Sequence, residues 1–103
     1  MSYKLRFVQN FVLRYSKEYL ELEKEFEKFE KMHPEAPKGK RYLALTGRYP
    51  SNTLIWECDF DTLEEAQKAQ TFFLTDTRHE DLYQQQSQYI LGTYTEIYRP
   101  FSL

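Results

Sequence analysis

The chain has one cysteine, one tryptophan, two histidines and three glycines in 103 residues. A lone Cys58 excludes an internal disulfide and suits a reducing compartment, so a cytoplasmic location is expected. Three separated glycines cannot build a G-x-G-x-x-G or P-loop motif, which excludes nucleotide binding by those devices. No apolar run approaches the ~20 residues of a membrane-spanning helix. Residues 1–14 are charged and alternating, unlike a signal peptide. Charge of one sign is also lacking: 14 Lys and Arg stand against 16 Asp and Glu, a net of −2. That balance gives no electrostatic reason to expect nucleic acid or an acidic membrane as a partner. His33 and His79 form no H-x-x-x-H pair and there is no C-x-x-C, so no metal site is expected. No Ser–His–Asp constellation can be read from spacing.

What the chain does have is aromatic side chains, nine Tyr and eight Phe. At this density they imply a core of large side chains, an interface, or the walls of a pocket for a flat organic ligand. The length suits one domain, residues 1–103, able to bury roughly 60–70% of its extended-chain surface.

Residues 4–14 alternate, with Leu5, Phe7, Phe11 and Leu13 on one face and Val8, Asn10 and Val12 among polar residues on the other, which predicts a strand. Gln9 interrupts the apolar face. From Ser16, an N-cap candidate, Tyr19, Leu22, Phe26, Phe29 and His33 recur at helical spacing; the Glu and Lys between them read as a solvated face. Pro34 ends this helix near His33, where a cationic histidine suits the helix dipole. Residues 34–40 form a loop. Lys38, Lys40 and Arg41 cluster there, either as solvated charges or as an anion site. Residues 41–48 predict a second strand, and Pro50, Ser51 and Asn52 a turn. Residues 53–61 predict a third strand, with Leu54, Trp56, Cys58 and Phe60 on one face, Cys58 being a buried, inert thiol. Thr62-Leu63-Glu64-Glu65 is a capping box opening a second helix, interrupted at residues 75–77 and resumed over residues 78–90. Gly92 is a C-cap candidate, and residues 93–99 predict the last strand.

The order is βαββαβ: an α+β, ferredoxin-like fold with a four-stranded antiparallel sheet and two helices on one face. The other face is left bare. Its expected members are Val8, Asn10, Val12, Tyr42, Ala44, Thr46, Ile55 and Glu57, with Tyr94, Glu96 and Tyr98 as candidates. The set is too apolar for free exposure, so a homodimer through this open sheet face is expected, enclosing a cavity with polar fittings.

The element order resembles the dimeric α/β-barrel superfamily over residues 4–100. The stretch from Leu54 to Glu65 is similar to the strand-to-helix passage of NIPSNAP-type domains. Continued to His79, it also looks like antibiotic-biosynthesis-monooxygenase-type domains. Heme-degrading members of that second group use an Asn on the first strand, a Trp on the second helix and a His beyond it as the iron ligand. The resemblance places Asn10 and His79 at the first and last of these positions. The tryptophan position falls near Ala69, while Trp56 lies on a strand.

Three functions follow as expectations. The first is a small-molecule protein that binds an apolar or aromatic organic compound and acts as a cofactor-independent monooxygenase or isomerase. The second is a non-catalytic dimerisation or ligand-carrying module. The third is heme binding through His79. The expected catalytic groups are His79, Glu57 and Asn10. The expected ligand-binding groups are Asn10, Tyr42, Glu57, Glu96 and Tyr98, with no bound cofactor and no metal. His79 reads either as a base or iron ligand, or as a polar residue near a helix start. The carboxylates and tyrosines read either as pocket groups or as partners of one another across an interface.

Overall fold

The computed structural model describes residues 2–102. Strand β1, Tyr3–Phe11, leads through a 3-10 turn, Leu13–Tyr15, into helix α1, Ser16–Met32. Strands β2, Lys40–Leu43, and β3, Thr53–Phe60, follow. Helices α2, Leu63–Thr75, and α3, Thr77–Ser87, precede strand β4, Ile90–Tyr98. The sheet is antiparallel throughout, in the order β2-β3-β1-β4. This is the ferredoxin-like arrangement, with the helices together on one side.

Register divides the side chains cleanly. Phe7 lies opposite Trp56 on β3 and Thr95 on β4, and Leu5 opposite Cys58 and Ile97. These residues face the helices. Arg6 lies opposite Glu57 and Glu96, and Val8 opposite Ile55 and Tyr94, on the open face. The same register assigns Tyr94, Glu96 and Tyr98 to the open face and Thr93, Thr95 and Ile97 to the helix face.

Four local expectations are corrected. The first strand ends at Phe11, and the turn after it leaves Leu13 exposed instead of in the core. The second strand is four residues long rather than running to Arg48. Gly47 adopts a φ of 123° and Pro50 offers no N–H, so residues 44–52 leave the ladder after one further bond, from Ala44 N to Thr53 O at 3.0 Å. Gly92 is not a helix cap. It pairs with Asn10 inside β4, beside a register shift between Asn10 and Phe11. The expected interrupted helix is two helices. Asp76 sits between them in extended geometry (φ −74°, ψ 121°), and its carboxylate accepts from the N–H groups of Arg78 at 2.9 Å and His79 at 3.1 Å. The capping box at Thr62 does form, its hydroxyl accepting from Glu65 N at 3.1 Å.

The core has two parts. Leu5, Trp56, Ala69 and Phe73 pack at one end with Phe7, Phe60, Phe72 and Ile97. Phe11, Tyr19 and Leu54 pack at the other with Leu20, Tyr89 and Ile90. Cys58 is half-buried against the first part, and burial, reinforced by the nearby Asp59 and Glu30 charges, raises its thiol pKa above the ordinary value. Among the described residues no helix is long and apolar enough to cross a membrane.

Candidate functional site

Between the helix-bearing face of the sheet and the three helices lies a cavity of about 260 Å³. Its floor is sheet: Phe7, Gln9, Leu54, Trp56, Thr93 and Thr95. Its roof is Glu23, Phe26 and Glu30 from α1, Gln70, Phe73 and Leu74 from α2, and His79, Glu80, Tyr83 and Gln86 from α3, with Arg41 closing one end. Residues of both core parts line it. An apolar cavity with a few convergent polar groups is the usual makeup of a small-ligand site.

The polar end is a buried ion cluster. Arg41 Nε donates to Glu23 Oε2 at 2.6 Å, its Nη1 to Glu30 Oε1 at 3.2 Å, and its Nη2 to Glu30 Oε2. The Trp56 indole N–H also donates to Glu30 Oε1, at 3.2 Å. Gln86, 1% exposed, donates from Nε2 to Glu23 Oε1 at 2.9 Å and to the Tyr19 carbonyl at 3.3 Å. Tyr19 hydroxyl donates to Gln9 Oε1 at 2.5 Å, which explains the polar residue on the core face of β1. Burial alone would lower the Arg41 pKa. The bonds to Glu30 and the charge of Glu23 outweigh it, so the pKa is raised and the guanidinium stays charged. Burial, with the Glu23 charge adding to it, pushes the Tyr19 phenol up.

Glu23 and Glu30 correct the reading of α1 as an apolar stripe with a solvated acidic face. Both are buried, at 8% and 5% exposure. The signal was present in the spacing. Glu23 stands four residues after Tyr19 and three before Phe26, and Glu30 four after Phe26, so both fall on the stripe. Nothing in the spacing, however, named Arg41, in another segment, as their shared partner. The basic cluster is likewise dispersed. Lys38 Nζ donates to the carbonyls of His33 and Ala36, Lys40 pairs opposite Glu57 in the sheet, and Arg41 turns inward to the carboxylates.

His79 lies on the cavity wall, packed among the rings of Phe26, Phe73 and Phe29 at centroid distances of 4.8, 5.0 and 6.4 Å. Burial lowers its pKa below 6.5, against the opposing pull of Glu30, Asp76 and Glu80 and of the Phe73 backbone beside the ring. Its Nδ1 is buried without a hydrogen-bond partner. His33 stays structural, its Nδ1 2.8 Å from the Phe29 carbonyl at the end of α1.

The other expected site residues do not join His79. Asn10, Tyr42, Glu57, Glu96 and Tyr98 all stand on the open face, with the sheet between them and the cavity. There Arg6 links Glu57 (3.3 Å) and Glu96 (3.8 Å) across three strands and donates to the Tyr98 hydroxyl at 3.2 Å. Lys4 reaches Glu57 at 3.3 Å. Asn10 Oδ1 accepts from Thr53 Oγ1 at 2.9 Å. Tyr42 is half exposed.

This arrangement does not fit a heme held as in the heme-degrading proteins. Asn10 lies on the far side of the sheet from His79, Ala69 stands in place of the tryptophan, and three phenyl rings crowd the imidazole. Among the described residues no group of three His, Cys, Asp or Glu could hold a metal ion.

No protein-family model matches the sequence, and no curated protein does. Solved structures do resemble it. A NIPSNAP family protein from Agrobacterium tumefaciens superposes with a TM-score of 0.75 at 16% identity, covering 99% of this chain and 95% of that one. An uncharacterized NIPSNAP domain protein from Burkholderia xenovorans gives 0.75 at 11% identity, covering 99% and 96%. A provisionally named antibiotic biosynthesis monooxygenase from Nitrosomonas europaea gives 0.63 at 10% identity, covering 98% and 91%. The chain therefore has, along almost its whole length, the ferredoxin-like α+β fold of NIPSNAP-type proteins, a fold it shares more distantly with that monooxygenase-type protein.

Proposed function

We propose that the cavity binds a small, flat, mainly apolar organic molecule and that His79 transfers a proton on it. One observation carries this reading: a buried imidazole with an unpartnered Nδ1 on the wall of an aromatic cavity. Burial keeps the ring neutral at neutral pH, the state a general base needs. His79 takes a proton from an acidic C–H of the ligand and returns it at a second carbon. That isomerisation balances without any co-reactant, whereas a monooxygenation of the kind implied by the Nitrosomonas protein's name would consume dioxygen.

Trp56 is the chain's only tryptophan and lines the cavity, so its emission reports occupancy. 2-Indanone, small, flat and carrying acidic C–H groups, is a suitable probe. It is expected to change Trp56 emission saturably. In D2O it is expected to exchange its α-hydrogens faster with the protein than without. His79→Gln should retain the binding and lose the exchange. Binding without any accelerated exchange would favour the ligand-carrying alternative, and no saturable response would remove the cavity reading.

A second reading concerns the open face and rests on exposure there. Tyr94, Tyr42 and Tyr98 are 54%, 49% and 42% exposed around a fully buried Val8. A second copy of the chain, packed sheet to sheet, would cover these rings and leave the Arg6–Glu57–Glu96 links between two layers. Light scattering after size exclusion at micromolar concentration is expected to give the dimer mass, and a clean monomer would end this reading.

A further inference from the structure

The buried ion cluster is charge-incomplete. Glu23 and Glu30 share one guanidinium, with side-chain exposures of 11%, 6% and 13% for Glu23, Glu30 and Arg41. Two carboxylates against one cation leave one negative charge beside the cavity, and taking an uncompensated charge out of water is costly. The neutral donors Trp56 and Gln86 stabilise the carboxylates without cancelling that charge. Among the described residues lining the cavity, Arg41 is the only lysine or arginine, and its donors already point at carboxylates. His79 is held neutral by burial, and Glu80 adds a third carboxylate at the rim. The cavity thus offers no free cation to an anionic ligand.

The apolar walls agree in sign. Phe7, Phe26, Trp56 and Phe73 surround the cavity. Aromatic faces are the negative ends of ring quadrupoles and attract cations, most strongly where water is excluded.

We infer that the cavity selects an organic cation, a compact aromatic or aliphatic ammonium compound, over neutral and anionic molecules of the same shape. The inference rests on the cavity being a ligand site and specifies what enters it. The ammonium group supplies the positive charge that the Glu23–Arg41–Glu30 cluster lacks, and the rings take the hydrocarbon part.

The test is a matched probe series read by Trp56 emission in the full chain: benzylamine, benzyl alcohol and benzoate. Benzylamine is expected to bind about tenfold or more tighter than benzyl alcohol, and benzoate most weakly. Glu23→Gln removes the surplus charge while leaving the Glu30–Arg41 pair, and should lower the amine-to-alcohol ratio severalfold, to what the aromatic walls and Glu80 alone sustain. If benzyl alcohol or benzoate binds as well as benzylamine, the charge inference is overturned while the cavity still stands as a ligand site. An amine preference unchanged in folded Glu23→Gln overturns it too. If none of the three probes binds, the inference falls, while the site reading stands or falls with the 2-indanone response. The wild-type series decides the matter even if the variant does not fold.

Discussion

The indole of Trp56 lies against the backbone of Gly39 so closely that a Cβ at position 39 would stand 2.0 Å from Cε2 and 2.2 Å from Nε1. Real carbon contacts do not come so near, and Trp56 cannot retreat freely. On one side it stacks on Phe7 at 5.1 Å, and on another it meets the edge of Phe73 at 5.2 Å. The glycine is thus required by the cavity floor and not by its own dihedral angles, since its φ is not in the left-handed region.

Gly39→Ala is therefore expected to destabilise the fold by about 1–3 kcal/mol through forced repacking. Trp56 emission should shift as well, because the indole N–H must move off Glu30. Denaturant unfolding followed by both circular dichroism and tryptophan emission checks this. An alanine variant with wild-type stability and emission would show that the loop before β2 yields easily.

Arg41→Met leaves Glu23 and Glu30 buried without their shared cation, and the expected cost is about 3–5 kcal/mol. The exposed pair Glu27–Lys31, with side chains 50% and 74% exposed, is the control. Lys31→Met should change stability by no more than about 1 kcal/mol. Chemical denaturation of both variants against the parent gives the comparison, and similar small losses for both would mean that the cluster contributes little.

Asp76 both ends α2 and caps α3, and its carboxylate also receives Arg78 at 2.7 Å. Hydrogen bonding from Arg78 is the main cause holding its pKa down at about 2. Asp76→Ala is expected to cost about 0.5–2 kcal/mol by removing the cap. It should also loosen the start of α3, where His79 sits. Amide hydrogen exchange over residues 77–81 reads that directly, and protection equal to the parent's would count against the cap. A folded-state pKa below 3.8 means this stabilisation is present above that pH and disappears as pH falls toward 2.

The two faces of β1 and β3, and with them the bare face, are legible in sequence because period two is a local property. Residues 4–11 and 53–60 show which side chains share a face before any partner strand is known. The cavity is not legible in that way. Its decisive contacts join Glu23 to Arg41 and Gln86, and Glu30 to Trp56, across separations of 18 to 63 residues. Buried glutamates on a helix rich in Glu and Lys also look like their solvated neighbours, and only a partner from elsewhere in the chain distinguishes them. Polar residues on the open face match a pocket's makeup in sequence for the same reason. Local pattern shows which face a side chain takes, not which face encloses a cavity.

His79 gives the clearest dependence on pH. Its pKa is lowered in the folded chain, chiefly by burial, while in the unfolded chain it titrates near 6.5. Above 6.5 both states carry a neutral ring and the residue contributes no pH dependence. As pH falls below 6.5 the unfolded state takes up the proton first, so stability declines until pH passes below the folded-state pKa. The apparent melting temperature is thus expected to fall between pH 7 and pH 5, and His79→Phe should flatten that part of the profile by filling the same aromatic surroundings without a titrating group. If the slope survives His79→Phe unchanged, the imidazole on the cavity wall is not held neutral, and its assignment as the proton-transferring base fails with it.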